Sequence, residues 1–385
     1  MKKLALHSFR LKNFKAVKDS GVIKFKPLTV FIGNNGSGKS SIIEGLETFQ
    51  SVVVHGLDKA MEHWRGFEHI WNKGMVHNLI QSQDHDYYSN PLSFQIAGTN
   101  EAGKSFSAST DISMGPGGNE IFIQREAAGE KNKFKYTRNA SGNAYINTCE
   151  KYGDSFFSDE SIIKRLVNTS IEEWQFVTLI PQFMGLPKLQ KRTGGNIRLE
   201  KDGSNIADYL LDIRNIDNTA FDEILEALRY IMPYASDVQP ALTSELERNV
   251  YLQMTEGNFK VPGWLLSTGT LRILALIALM RHPIPPPLIC IEEIENGLDP
   301  RTIHLIVREI QNVVESGKSQ IVVTTHSPYL LDLLTLSHIV LVERNENNEP
   351  VFSRPADQNS LKDWSKKFTP GKLYTMERLS SKRQK

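Results

Sequence analysis

A lysine and a serine at the end of a glycine-rich run are the residues of this 385-residue chain best placed to do chemistry. Residues 33–40 read GNNGSGKS and satisfy the pattern G-x-x-x-x-G-K-[ST]. Glycines at 33, 36 and 38 let backbone N–H groups turn inward around phosphate oxygens, where a side chain would obstruct the approach. Lys39 can reach β- and γ-phosphates, and the Ser40 hydroxyl can ligate Mg²⁺. The residues assigned to a bound nucleotide are Asn34, Asn35, Gly36, Ser37, Gly38, Lys39, Ser40 and Ser41. The bland alternative is a chance glycine turn.

A second, independent signal lies at 288–300, LICIEEIENGLDP. An apolar strand ending in two acids sets carboxylates at the C-terminal edge of a sheet. The first, Glu292, would hold Mg²⁺ through its water shell. The second, Glu293, would orient or deprotonate an attacking water. The competing reading is a strand end with solvated acids. Ser267–Thr268–Gly269 stands just before an apolar helix, where a hydroxyl, a glycine N–H and a helix N-terminus make a second anion site. An ordinary Ser N-cap would look the same. His326, in TTHSP after an apolar strand, could hydrogen-bond a γ-phosphate and report its loss, or be structural.

These groups need a scaffold. KPLTVFIG reads as a strand broken at Gly33, and Ser40–Val54 has helical apolar spacing at Ile42, Ile43, Leu46 and Phe49. The glycine run therefore falls between a strand and a helix, which disfavours a chance turn. Residues 55–160 are rich in glycine, and LSFQIAG and EIFIQRE look like strands of an antiparallel meander, with GPGGN (115–119) as a turn. No heptad pattern runs through this stretch, so a long coiled-coil arm is not expected. From residue 159 the signal turns helical. Thr219–Met232 has one apolar face, with Asn218 or Thr219 as N-cap and Pro233 as terminator. Beyond 264 an α/β rhythm returns: helix 270–281, strand PLICIEE, helix 300–315, then strands QIVVTTH and HIVLVER. The division expected is an N-terminal lobe (1–58), a β-rich insertion (59–160), a helical insertion or lid (161–250), a C-terminal lobe (251–345) and a basic tail (346–385).

Composition sets outer bounds. The net charge is +1, so no global field draws the molecule to nucleic acid or membrane. The longest apolar stretch, near residues 271–280, is far short of a membrane span. Two cysteines, Cys149 and Cys290, exclude a disulfide framework and a four-cysteine zinc site, and with no visible secretory signal a cytoplasmic location is expected. Local charge is uneven. Lys2, Lys3, Arg10, Lys12, Lys15, Lys18, Lys24 and Lys26 face Asp19 alone in the first 26 residues, and 361–385 is basic as well. Such clusters would give salt-sensitive, sequence-indifferent DNA binding; solvated strand edges and a frayed terminus are the alternative.

In this order the motifs resemble those of ABC-type ATPases. GNNGSGKS resembles their Walker A, LSTGT their signature, ICIEE their Walker B, Gly297–Leu298–Asp299 their D-loop and His326 their switch histidine. LKNFKAV…LTVFIGNNGSGKSSIIEGL places the resemblance in the branch of chromosome-maintenance (SMC), RecF-like and OLD-like ATPases. LSTGTLRILALIAL, EEIENGLDP and VVTTHSPYLLD narrow it to the stand-alone ATPase group labelled AAA_21. The chain departs from that group's pattern at Ile294, where proline is frequent, and at Asp299, where histidine is common. The implied fold is α/β: an ABC-type head, a P-loop NTPase with a mixed sheet and an antiparallel β subdomain, carrying a helical insertion.

The resemblance implies more. Two heads close head-to-tail on two ATP, each site taking Lys39, Ser40, Glu292, Glu293 and His326 from one copy and Ser267, Gly269 and Asp299 from the other. The adenine-side basic residue would be Lys15, or Lys15 is simply an exposed lysine. Gln182 is the candidate for the glutamine that senses Mg²⁺. Only 59 residues follow His326, too few for a nuclease domain of the kind many relatives carry. The implied activity is an ATPase switch, a homodimer or higher oligomer of dimers, gating a separate nuclease-like effector linked to phage defence. The alternatives are a RecF-like DNA-repair clamp without an effector and, less well matched, a transporter's ATPase subunit. No membrane role is expected.

Overall fold

The computed structural model describes residues 5–81, 86–100, 103–118, 120–130, 134–138, 143–146, 150–155, 161, 163, 170–192, 196–244, 246–359 and 361–379. Lys2, Lys3, Cys149 and the end of the basic tail lie outside them. The chain folds as two compact units, Met1–Trp174 with Ser337–Gln358, and Gln175–Leu336 with Asn359–Lys385.

The first unit contains an antiparallel sheet in which Ala5–Phe14 lies beside Leu92–Thr99, followed outward by Ser105–Met114 and Ile121–Glu130. Burial alternates along Ser105–Met114, the period of two that an extended chain with one covered face requires. The covered face is aromatic. Phe94 packs its ring 6.5 Å from Phe9, 6.4 Å from Phe14 and 5.9 Å from Phe49. Phe49 belongs to helix Lys39–His55, which buries Ile42, Ile43, Leu46, Phe49 and Val52. Gly45 lets this helix approach the sheet, since a Cβ there would lie 2.6 Å from Leu11 Cδ2. Strand Leu28–Ile32 is buried at every position and pairs in parallel with Ile339–Arg344. That strand turns back into an antiparallel hairpin with Pro350–Ser353. The expected turn at 115 is present, with Gly115 N–H donating to the Glu120 carbonyl at 2.9 Å.

In the second unit, Leu288–Ile291 pairs in parallel with Gln175–Val177 on one side and Gln320–Thr325 on the other. All of these strand residues are buried, so the strands lack polar–apolar alternation, and Leu288–Ile291 is apolar throughout. Helix Thr268–Met280 is apolar nearly all round and buries Thr270–Leu271 and Ile273–Met280. Helix Pro300–Glu315 is amphipathic, burying Ile303, Ile306, Val307, Ile310 and Val313.

Among the described residues of the stretch read as helical, the α-helices are Pro181–Met184, Ile206–Ile216 and Asn218–Ile231. Strands Ala235–Leu242, Asn249–Glu256 and Phe259–Pro262 follow, forming a small antiparallel sheet. Alternating burial of Val250, Leu252 and Met254 is a strand signature; Pro240 disguised its neighbour, yet proline is tolerated because Ala235–Leu242 is an edge strand. The N-cap of Asn218–Ile231 is Asp217, not Asn218 or Thr219: its Oδ1 accepts from Thr219 N–H at 2.9 Å and Ala220 N–H at 3.2 Å. Among the described residues no helix is longer than 17 residues, and none is long and apolar enough to cross a membrane.

Candidate functional site

The phosphate loop leaves the buried strand Leu28–Ile32 and enters the helix at Lys39. Gly36 and Gly38 take left-handed φ values of +71° and +110°, which L-residues rarely adopt. Gly33 is required for space: a Cβ would lie 2.1 Å from the Val342 carbonyl oxygen. Lys39 is only 5% exposed, and its Nζ donates to the carbonyls of Gly33 at 2.9 Å and Asn34 at 3.0 Å. The Ser37 hydroxyl is buried without a hydrogen-bond partner. A glycine-rich loop that buries a cation and an unsatisfied hydroxyl has the chemistry to receive an anion. Asn34, Asn35 and Gly36 are exposed at its tip, Ser40 is half-buried and Ser41 is buried.

Lys15 is engaged within the same unit. Its Nζ is 2.7 Å from Glu44 Oε2 and 4.0 Å from the centroid of the Trp64 ring. Three other N-terminal cations are paired as well. Arg10 and Lys12 both reach Asp19, and Lys18 Nζ lies 2.7 Å from Glu349.

In the second unit the acids follow strand Leu288–Ile291. Glu292 N–H donates to the Val177 carbonyl at 3.0 Å, which leaves its half-buried side chain at the strand's end. Glu293 is exposed and holds a left-handed φ of +46°. Such backbone costs a non-glycine residue on the order of 1 kcal/mol and persists only where its surroundings hold it. Thr324 does this. Its buried Oγ1 accepts the Glu293 N–H at 2.9 Å, and its carbonyl accepts the Ile294 N–H at 3.2 Å. Arg272 reinforces the corner. Its guanidinium donates to the Leu179 carbonyl at 2.9 Å, and its stem lies 3.6 Å from where a Gly297 Cβ would stand. Burial pulls the Arg272 pKa down, and attraction to Glu293 opposes that.

His326 leaves strand Gln320–Thr325 half-buried, its N–H held by the Glu295 carboxylate. Ser267 caps helix Thr268–Met280, with Oγ accepting from Thr270 N–H at 3.1 Å. Ser267 and Thr268 are nonetheless exposed. Gly269 is tight against the D-loop, a Cβ there lying 3.0 Å from the Gly297 carbonyl. Asp299 caps helix Pro300–Glu315: Oδ1 accepts from Arg301 and Thr302 N–H, and Oδ2 accepts from the Thr302 hydroxyl at 2.6 Å. Those bonds, the Thr302 hydroxyl first, hold its pKa below the usual range. Gln182 is exposed in the single turn Pro181–Met184.

The family model described as "AAA domain, putative AbiEii toxin, Type IV TA system" matches residues 157–332, and the one described as "AAA ATPase domain" matches residues 4–163. Between them they cover every motif residue named above. A solved SMC head bound to the C-winged helix domain of ScpA is similar over 94% of this chain and 99% of its own, at 16% identity and a TM-score of 0.56. The Smc head domain with an extended coiled coil, bound to the C-terminal domain of ScpA derived from Pyrococcus furiosus, is similar over 94% and 100%, at 12% identity and 0.51. No curated protein sequence matches the chain. The chain is an ATPase with the ABC-type head fold.

Three residues of this ATPase escaped sequence reading. Thr324 braces the corner at Glu293, Arg272 lies beside Gly297 and donates to the Leu179 carbonyl, and Glu295 holds the backbone N–H of His326. Glu295 carried a weak signal, a third acid two positions beyond the pair. Arg272 is the one charge in an otherwise apolar helix, visible as an anomaly but not as a contact. Nothing in a TT dipeptide within a buried strand distinguishes the threonine that accepts a neighbouring N–H.

Proposed function

We propose that this ATPase is a nucleotide-driven switch that closes head-to-tail on a second copy and gates a separate effector protein. The observation that carries the binding half is the phosphate loop, with Lys39 buried on neutral carbonyls and the Ser37 hydroxyl unsatisfied. A triphosphate exchanges those carbonyls for charged oxygens; a hydrogen bond to a charged group is worth about 1.5–3 kcal/mol net. Glu293 takes a proton from the water that attacks the γ-phosphorus. The bond from that phosphorus to the bridging oxygen breaks, ADP leaves with the electron pair, and inorganic phosphate departs. His326 hydrogen-bonds the γ-phosphate and loses that contact on hydrolysis.

Among the described residues no group of three or more His, Cys, Asp or Glu could hold a metal by itself. On this reading Mg²⁺ would be held by the Ser40 hydroxyl, the Glu292 carboxylate and Gln182 with substrate phosphates and waters, the oxygen set such ions commonly use. When bound, the ion would neutralise phosphate charge.

Support for a second copy comes from Ser267 and Thr268, an exposed helix start beside Trp264 and Leu265, which are 48% and 68% exposed. On this reading Ser267, Gly269 and Asp299 serve the nucleotide of the partner copy. That two similar heads were solved bound to domains of ScpA supports a protein partner for this one. The ion pairs at Arg10, Lys12, Lys15 and Lys18 weigh against these cations as a DNA-binding surface. The decisive experiment is light scattering of Glu293→Gln with and without ATP. The expected result is a doubling of mass with ATP; a monomer at saturating ATP overturns the switch.

A further inference from the structure

The phosphate loop is pressed from one side by the hairpin that follows strand Ile339–Arg344. Three contacts map onto the loop's three glycines. A Cβ at Gly33 would strike the Val342 carbonyl at 2.1 Å, and one at Gly38 would lie 2.9 Å from Pro350 Cγ. At the third, Gly36, the contact is a hydrogen bond: Arg344 Nε donates to the Gly36 carbonyl at 2.8 Å. Arg344 is itself fixed, because its guanidinium also donates to the Asn348 carbonyl across the hairpin turn.

The turn is built to hold that geometry. Asn345 Oδ1 accepts the N–H groups of Asn347 and Glu349, each at 2.9 Å. Asn348 supplies the left-handed residue at φ +59°. Glu349 pairs with Lys18 Nζ at 2.7 Å, tying the turn to strand Val17–Asp19. At the loop tip the Ser37 N–H donates to the Asn34 carbonyl at 3.1 Å. The Gly36–Ser37 peptide is thus held through its N–H by the loop and through its carbonyl by Arg344. Gly36 has no Cβ and no neighbour within 4 Å of where one would be, so packing does not set this peptide's plane. In a loop that binds phosphate through oriented N–H groups, the orientation of that peptide matters to affinity.

We propose that Arg344 is a positioning residue for triphosphate binding, holding the tip of the phosphate loop in its binding shape through the Gly36 carbonyl. This rests on the ATP-binding reading above. It makes the hairpin turn a place from which nucleotide affinity can be set without touching the nucleotide.

The test is titration of a fluorescent ATP analogue (mant-ATP) against wild type, Arg344→Ala, Arg344→Gln, Arg344→Lys and Lys39→Ala, with steady-state kinetics on each. Arg344→Ala should weaken binding by roughly tenfold or more, the value of one hydrogen bond from a charged donor. KM should rise with kcat within about twofold, because an interaction made equally in ground and transition states is lost. Arg344→Gln keeps an N–H donor without the charge and should recover most of the affinity. Unchanged binding in Arg344→Ala overturns the proposal. So does recovery by Arg344→Lys but not Arg344→Gln, which would make Arg344 a charge contact instead. Should Arg344→Ala not fold, the Gln and Lys variants decide alone. If Lys39→Ala also binds like wild type, the ATP-site reading has failed, and not only this inference.

Discussion

The two units build their candidate groups from different materials. In Met1–Trp174 the phosphate loop is made of backbone: glycine dihedrals, N–H groups and carbonyls, with Lys39 buried among them. In Gln175–Leu336 the acids and His326 stand at strand ends, exposed or half-buried, and the backbone N–H groups of Glu293 and His326 are held by the side chains of Thr324 and Glu295. The first has no room for a Cβ at Gly33 or Gly38 and is held at Gly36 by Arg344. The second stores strain at Glu293 and depends on long-range contacts to keep it. On the proposed reading, a tight grip suits the loop that would bind nucleotide, and an adjustable corner suits a part that would change as the γ-phosphate is lost.

The comparison breaks most visibly at Lys39. Lys39→Ala should abolish measurable ATP binding in a fluorescent-nucleotide titration while circular dichroism stays native; retained binding would mean the loop is not the grip. Next is Glu293→Gln, which should lower kcat by about a hundredfold or more, the range of a general base, with ATP affinity unchanged. Equal losses in binding and turnover would erase the division of labour between the units.

Thr324→Val sharpens the contrast, being isosteric and deleting only the acceptor for the Glu293 N–H. We expect kcat to fall by about tenfold and unfolding to become easier by roughly 1–2 kcal/mol, read by urea denaturation. The same loss with no change in kcat would make Thr324 purely structural. The smallest effect is expected at Asp19. Hydrogen bonds from Arg10, at 2.9 and 2.6 Å, hold its carboxyl below the usual range. A depressed folded value contributes stability above the unfolded carboxylate pKa, near 3.9, and loses it as pH falls through the folded value. The pair is 32% and 40% exposed, so screening limits its worth to under about 1 kcal/mol. Wild type should therefore exceed Asp19→Asn in urea midpoint at neutral pH, and the gap should close below about pH 4.

How far each part was legible follows from the same contrast. The phosphate loop could be read because its function lies in contiguous residues whose spacing is the mechanism. The pairing of an apolar strand with Glu292 and Glu293, and the cap at Ser267, were legible for that reason. The sheet at 235–262 was harder, because Pro240 on an edge strand breaks the local pattern that the register with Asn249–Glu256 restores.

The sequence by itself offered the phosphate loop and the acid pair as candidates and marked the strands and helices on either side of them, since these signals depend on neighbours a few positions apart. Only the tertiary structure decided that Arg344, 308 positions from Gly36, holds the loop's tip, and that Thr324 pins Glu293 from 31 positions away. Hydrogen bonds between distant segments are made by groups that look ordinary in sequence, and they become specific only when the fold brings donor and acceptor within 3 Å of each other.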